Sequence, residues 1–254
     1  MNSSFWRLEW NYATFFYFRV SPISCYSSSP DLPLQSLQPN SQRIVCLPSQ
    51  THDHRPVYDR LKRILDVCGC LCLLPVAFPL MWGCAIAIWS EDRGPIIFRQ
   101  QRTGKYGRRF AMYKFRTMKT NAEALKRKYA HLNQLSWPDF KIVNDPRITR
   151  VGRLLRKTSL DELPQLMNVL LGDMSLVGPR PTSFDVDTYG LHHTERLEVV
   201  PGVTGLWQIN GRSDLDFDER LKLDLEYIEK RSLWLDVSIL LGTVKAVLRP
   251  RGAY

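Results

Sequence analysis

Asp161 and Glu162 stand side by side, and an adjacent carboxylate pair takes its chemistry from the residues around it. The company here is cationic: Arg153, Arg156 and Lys157 precede the pair, and Gly178-Pro179-Arg180-Pro181 follows it. A proline on each side of Arg180 immobilises the backbone around a planar guanidinium, whose rigid donor fork suits phosphate oxygens. Carboxylates among cations can simply neutralise them in a structural network. They can equally form a divalent-metal and phosphoryl-transfer site, in which metal and arginines compensate phosphate charge. Further on, Pro201-Gly202-Val203-Thr204-Gly205 and Asn210-Gly211-Arg212 are turn signals around Trp207, able to present an aromatic ring and the Arg212 guanidinium to a nucleotide. A structural use competes with this reading. Ser159 and Glu162 match the S-x-x-E capping box, and any acid at a helix N-terminus is favoured by the dipole.

The element carrying the acids reads as a helix that begins within a residue or two of Ser159 and stops at Gly172. Leu160, Leu163, Met167, Leu170 and Leu171 recur at helical spacing and predict its buried face, with Asp161, Gln165 and Asn168 on the opposite, polar face. Pro164 is tolerated in the first turn, where its missing N–H has no intrahelical partner anyway. Upstream, Thr103-Gly104-Lys105 and Tyr106-Gly107-Arg108 are turn signals before a strand-like run from Phe110 to Met118. This run lies in a stretch, Arg93 to Lys128, whose dense Lys and Arg are opposed only by Glu123, a surface suited to lipid headgroups or phosphates. Downstream, Asp218 to Lys230 mixes charge and leucine at helical spacing. Trp234 to Leu248 is apolar but broken by Asp236, Ser238 and Lys245, which suits a helix lying at a membrane interface.

Residues 64–89 are apolar apart from Asp66 and exceed the roughly 20 residues that cross a bilayer core. Arg55, Arg60, Lys62 and Arg63 precede the run; Arg99, Arg102, Lys105, Arg108 and Arg109 follow it. Basic flanks mark the cytoplasmic side, so both ends are expected there. Pro75 and Pro79 each remove a helical hydrogen bond, and a helix that enters, breaks at the prolines and returns satisfies both signals. The competing expectation is a buried core helix of a soluble protein. Cys68, Cys70 and Cys72 lie in this run without a second Cys pair or His at zinc spacing, so they read as small core hydrophobes rather than metal ligands.

The chain has 254 residues with a net charge of +10, and 44% hydrophobic residues is too many for a disordered basic tail. Its partner is therefore expected to be an anionic surface or a phosphorylated ligand. Cysteines within an apolar run exclude an oxidised extracellular framework. Residues 5–18 are aromatic-rich but carry Glu9 and lack a basic n-region, which argues against a secretory signal. From Ser21 to about Pro56 the Ser, Pro, Gln and Asn content predicts disorder, so residues 1–57 read as an N-terminal extension.

From about Tyr58 to Tyr254 the chain resembles the bacterial sugar transferases, the monotopic polyprenyl-phosphate phosphoglycosyl transferases. The resemblance rests on KRILD at 62–66, YKFRTM at 113–118, DPRITRVGRLLRKTSLDELPQLMNVLLGDMSLVGPRP at 145–181 and PGVTGLWQINGR at 201–212. It implies a mainly helical α+β protein with one re-entrant membrane helix (64–89), amphipathic interfacial helices and a small catalytic region (90–254). That region faces the cytoplasm at the bacterial inner membrane. The family's Asp-Glu dyad falls on Asp161 and Glu162, the aspartate as covalent nucleophile and the glutamate as metal ligand. Its Pro-Arg-Pro motif falls on Pro179, Arg180 and Pro181. The family's helix-breaking Ser-Pro stands here as Phe78-Pro79, which keeps the proline and lacks the serine. Larger members carry several spanning helices before this domain, and the 57 residues preceding it here are too few for that, so the chain resembles the minimal form.

The resulting expectation is ping-pong transfer of a sugar 1-phosphate from a UDP-sugar to polyprenyl phosphate with Mg2+, in glycoconjugate synthesis that downstream glycosyltransferases continue. Arg156 and Arg180 would neutralise phosphate, and Arg212 would contact the diphosphate or uridine. The ending VLRPRGAY resembles that of members transferring hexose 1-phosphate, such as galactose or glucose. The rival expectation is a non-enzymatic membrane adaptor whose basic face binds anionic lipid. Nucleic-acid binding leaves the apolar run unexplained and is not expected.

Overall fold

The computed structural model describes residues 55–126, 144–183, 195–210 and 217–248, with isolated positions between 128 and 142. The expected disordered extension lies almost wholly outside the described residues, as does Arg212.

A helix, α1, runs from Pro56 to Glu91, with Pro56 opening its first turn and Pro75 and Pro79 inside it. Its burial inverts that of a soluble core helix. The side chains it buries are Asp66, Cys70, Ala77, Cys84 and Ile88. The bulky Leu71, Leu73, Val76, Phe78, Leu80, Trp82, Ile86 and Trp89 are exposed. A helix that turns most of its large apolar residues outward is not packed as the core helix of a soluble protein. It is long and apolar enough to cross a membrane. Both ends are nonetheless held by one folded unit. Near the start, Lys62 pairs with Asp236 at 3.0 Å, and Asp66 accepts from Leu176 N and Ser175 Oγ. At the far end, Cys84 and Ile88 pack with Phe115 and Leu155.

The hairpin β1 (Ile97–Thr103) and β2 (Arg109–Phe115) pairs antiparallel from Ile97↔Phe115 to Thr103↔Arg109. Its loop is a tight turn in which Tyr106 and Gly107 take positive φ, as the paired turn signals predict. After α2 (Ala122–Lys126) come α3 (Arg150–Thr158) and α4 (Gln165–Leu171). Two short strands, β3 (Ser175–Val177) and β4 (Gly202–Thr204), pair parallel, and α5 (Leu206–Asn210), α6 (Phe217–Lys230) and α7 (Leu233–Leu248) complete the described chain. The larger core gathers Cys70 and Ala77 of α1, Phe110 and Met112 of β2, Leu166 and Val169 of α4, and Tyr227 and Ile239 of α6 and α7. The architecture is mainly helical with two small sheets.

Two expectations change. The acids do not open a helix at Ser159. Instead α3 ends there, Ser159 takes a left-handed conformation at φ 58, and Leu160–Glu162 form a separate 3-10 turn before α4 begins after Pro164. The buried stripe of α4 is also rotated from the expected one. Gln165, Leu166, Asn168 and Val169 are buried, while Met167 and Leu171 are exposed. The reason is Asn168, which is fully buried because its amide completes the free edge of β2, accepting from Tyr113 N at 2.9 Å and donating to Ala111 O at 2.8 Å. A buried amide satisfied at both ends no longer drives its face toward water. In α7, Asp236 is a buried anchor that accepts from Lys62 and Tyr227.

Candidate active site

The site is a meeting of one strand, two helix ends and two turns. Gly152 lets α3 lie directly on the end of β2: a Cβ there would stand 2.1 Å from the Thr117 carbonyl oxygen. That oxygen accepts from Thr149 N, and Thr149 caps α3 by accepting from Gly152 N. So seated, the last turn of α3 delivers Arg156, whose Nε donates to Thr117 Oγ1 at 2.9 Å. The left-handed Ser159 then reverses the chain into the 3-10 turn and buries Asp161.

Glu162 is clamped from two sides. Lys114, from β2, donates to Oε1 at 2.9 Å, and Arg180 binds as a fork, with Nη2 on Oε1 and Nη1 on Oε2 at 3.2 Å. Burial alone would push the Glu162 carboxyl up, but Arg180 and Lys114 outweigh it and hold it well below the usual carboxylate range. The capping-box expectation fails here: Ser159 makes no side-chain cap bond, and the Glu162 carboxylate turns to cations instead.

Asp161 is treated oppositely. Among the described residues no hydrogen-bond donor reaches its carboxylate, and burial pushes its proton affinity up. The Lys114 charge pulls it down, Glu162 adds repulsion, Arg156 and Arg180 oppose that, and the net direction is upward. Lys114 and Arg156 are both lowered by burial, against the attraction of the acids. One carboxylate is thus bound and fixed. Its neighbour is largely buried and, among the described residues, meets no hydrogen-bond donor.

Of the residues expected from sequence, Asp161, Glu162, Arg156 and Arg180 come together, with Pro179 and Pro181 flanking Arg180 on a turn held by Gly178 N→Thr204 O and Gly202 N→Pro179 O. Arg153 and Lys157 are exposed on α3. Trp207 sits on α5 under Arg220 and in no described contact with the acids. Sequence reasoning missed Lys114, although YKFRTM was in view and strand alternation places it on one face. It also missed Arg196, which donates to the Arg180 carbonyl at 2.8 Å and pairs with Asp224 behind the turn. Burial raises the Asp224 carboxyl to about 6 against the pull of Arg196 and Arg220. No local pattern announces that pair, whose members lie far apart in the chain.

A long apolar helix and a cationic, carboxylate-bearing site thus belong to one folded unit. The family model "Bacterial sugar transferase" matches residues 57–250, and the chain belongs to that family. It is 48% identical over 202 residues to the undecaprenyl-phosphate galactose phosphotransferase of Salmonella typhimurium, covering 76% of this chain and 42% of that protein. To the undecaprenyl-phosphate glucose phosphotransferase of Komagataeibacter xylinus it is 41% identical over 205 residues, covering 76% of this chain and 37% of that protein. To the exopolysaccharide production protein ExoY of Rhizobium meliloti it is 37% identical over 213 residues, covering 82% of this chain and 94% of that protein. The chain therefore spans less than half the length of the two phosphotransferases and nearly the whole of ExoY.

Proposed function

We propose that this protein transfers a sugar 1-phosphate from a UDP-sugar to polyprenyl phosphate and releases UMP, an early membrane step of exopolysaccharide or related glycoconjugate synthesis. The observation that carries the reading is the contrast within the acid pair: a largely buried Asp161 that meets no hydrogen-bond donor among the described residues, beside a Glu162 clamped by Lys114 and Arg180. A carboxylate stripped of donors keeps its lone pairs for attack, while the fixed neighbour and its cations hold an anionic substrate in line.

In the first step an Asp161 carboxylate oxygen attacks the sugar-bearing phosphorus, a bond to that phosphorus forms, and the bond to the UMP oxygen breaks with its electron pair leaving on UMP. In the second, a phosphate oxygen of the polyprenyl phosphate attacks the same phosphorus and the carboxylate leaves. The covalent step divides one reaction between a soluble and a lipid substrate into two. Arg180 and Arg156 offset phosphate charge as it approaches the acids. Among the described residues no cluster of three or more metal-binding side chains occurs. Mg2+ ordinarily takes one or two carboxylates with substrate phosphates, and Glu162 Oε2, which among the described residues accepts from Arg180 alone, retains a lone pair for it. Bound there with the diphosphate, Mg2+ would stabilise the departing UMP. The galactose and glucose in the relatives' names, with the VLRPRGAY ending, support a hexose. The bonding of both ends of α1 to one folded unit supports a helix whose ends lie on one side of the membrane, and its basic flanks support the cytoplasmic side.

The test is acceptor-free turnover. Detergent-purified protein given UDP-galactose or UDP-glucose without lipid should release at most about one UMP per site and stall, with a sugar-phosphate adduct on the Asp161 peptide by intact mass and peptide mapping. Asp161→Asn should lose both signals while staying folded. UMP release that requires both substrates, with no adduct, would replace the covalent route by direct transfer; no release from any UDP-sugar would favour the adaptor.

A further inference from the structure

The two helices that flank the acid turn, α3 before it and α4 after it, are each held at their outer end by a side chain of α1. Glu91, the last residue of α1, places Oε1 on Arg150 N at 2.7 Å and Oε2 on Val151 N at 2.8 Å, taking up two of the orphan donors at the start of α3. Arg63, near the other end of α1, donates through Nη1 to Val169 O, which also accepts from Gly172 N, and through Nη2 to Leu170 O at 2.8 Å, so it binds two carbonyls of the last turn of α4. The signs agree with the helix dipoles, an anion at the positive end of α3 and a cation at the negative end of α4. Between Arg63 and Glu91 lies the whole apolar run, with Pro75 and Pro79.

We propose that α1 is a brace for the reacting pair: Arg63 and Glu91 are positioning residues that fix the outer ends of α3 and α4, and so set Asp161 and Glu162 between them. Neither residue is placed against the acids, so each acts through a helix. Three links transmit the position of Glu91 to the chemistry: α3 carries Arg156, its last turn feeds Ser159, and Glu162 N is bonded back to Ser159 O. The position of Arg63 reaches the site through α4, whose Asn168 joins the β2 edge beside Lys114. Because both contacts come from one helix, the shape α1 adopts in the bilayer fixes how far apart they stand. The membrane segment is thereby part of the catalytic geometry as well as its anchor. This inference rests on the reading of Asp161 and Glu162 as the reacting pair.

The experiment uses the full chain in lipid nanodiscs and compares wild type with Glu91→Gln, Arg63→Gln and the double variant. Single-turnover UMP release from the accepted UDP-sugar should slow by about tenfold in each single variant and further in the double, because small misplacements at a reacting centre are costly. The KM for UDP-sugar should stay within about twofold, since no substrate contact is removed. Hydrogen exchange should accelerate at Arg150 and Val151 in Glu91→Gln, and at Glu162 and Leu163 of the acid turn in the double variant. Arg63→Lys, which keeps a charged donor where glutamine keeps a neutral one, should recover part of the rate. Wild-type rates despite faster exchange at Arg150 and Val151 would reduce Glu91 to an ordinary cap and overturn the brace. A loss of rate that tracks a large fall in melting temperature, without the split between rate and KM, would overturn it as well. If wild type itself releases no UMP, the functional reading fails; the brace then stands or falls on whether exchange at Glu162 and Leu163 rises in the double variant.

Discussion

Arg180→Lys isolates what the guanidinium fork contributes. Arg180 reaches both oxygens of Glu162, Nη1 at 3.2 Å on Oε2 and Nη2 on Oε1, from a turn whose backbone is pinned at Gly178 and Pro179. Lysine preserves the charge and can reach one oxygen, so one charge-assisted bond of the pair is lost while the Lys114 bond to Oε1 remains. A hydrogen bond to a charged group contributes about 1.5–3 kcal/mol, and the site's partial exposure, 29% for the Arg180 side chain and 21% for Glu162, places the loss toward the lower end. At about 1.4 kcal/mol per factor of ten, the first step should slow by roughly tenfold. The assay is single-turnover UMP release with UDP-sugar in excess, alongside a melting curve to confirm folding. The loss should fall on the rate of adduct formation rather than on the amount of adduct, because the nucleophile is intact. A folded lysine variant that reacts at the wild-type rate would refute the argument that the fork, rather than the charge alone, matters here.

The remaining predictions use other parts of the molecule. Asp161 must be ionised to attack, and its pKa is raised by burial, so the acid limb of the first step should lie above the ordinary carboxylate range in a pH–rate profile. The same shift has a stability sign: the folded state holds that proton more tightly than the unfolded chain, so ionisation is destabilising, and Asp161→Asn should melt higher than wild type at neutral pH. That difference should shrink as the pH falls through the raised pKa, as calorimetry can follow. Gly152→Ala forces a methyl to within 2.1 Å of a backbone oxygen that is itself hydrogen-bonded, so it should destabilise by about 1–3 kcal/mol or more and depress UMP release by shifting Arg156. Tags at the two ends of the chain should both resist external protease in intact cells, and replacing Pro75 and Pro79 by alanine should convert part of the population to a crossing topology.

The acid pair and Pro179-Arg180-Pro181 were legible because their chemistry is carried by residue type at fixed spacing; α6 followed from helical periodicity and α7 from an apolar run broken by a few polar residues. The rotated face of α4 was not. Its leucines satisfy a helical stripe in more than one orientation, and the choice is made by Asn168, whose two bonds run to backbone groups on β2, more than fifty residues earlier. Lys114 and Arg196 were missed for the same reason. Each becomes part of the site through a contact distant in sequence, which neither alternation nor capping rules encode. The capping box was a true local pattern that lost to geometry: once Ser159 turns left-handed, its hydroxyl no longer caps a helix, and Glu162 finds stronger partners in two cations.

The pairing of Asn168 with β2 also bears on how that strand edge would meet other chains while the protein is being made. A strand edge with free N–H and C=O groups is a template for any passing extended chain. One side-chain amide occupies Tyr113 N–H and Ala111 C=O as a neighbouring strand would, without offering a further edge of its own. Aspartate at position 168 would keep the acceptor, lose the donor and set a charge against the Ala111 carbonyl, reopening the edge at little change in volume. The yield of dispersed protein from cells, more than the turnover of what survives, is where that substitution would be felt.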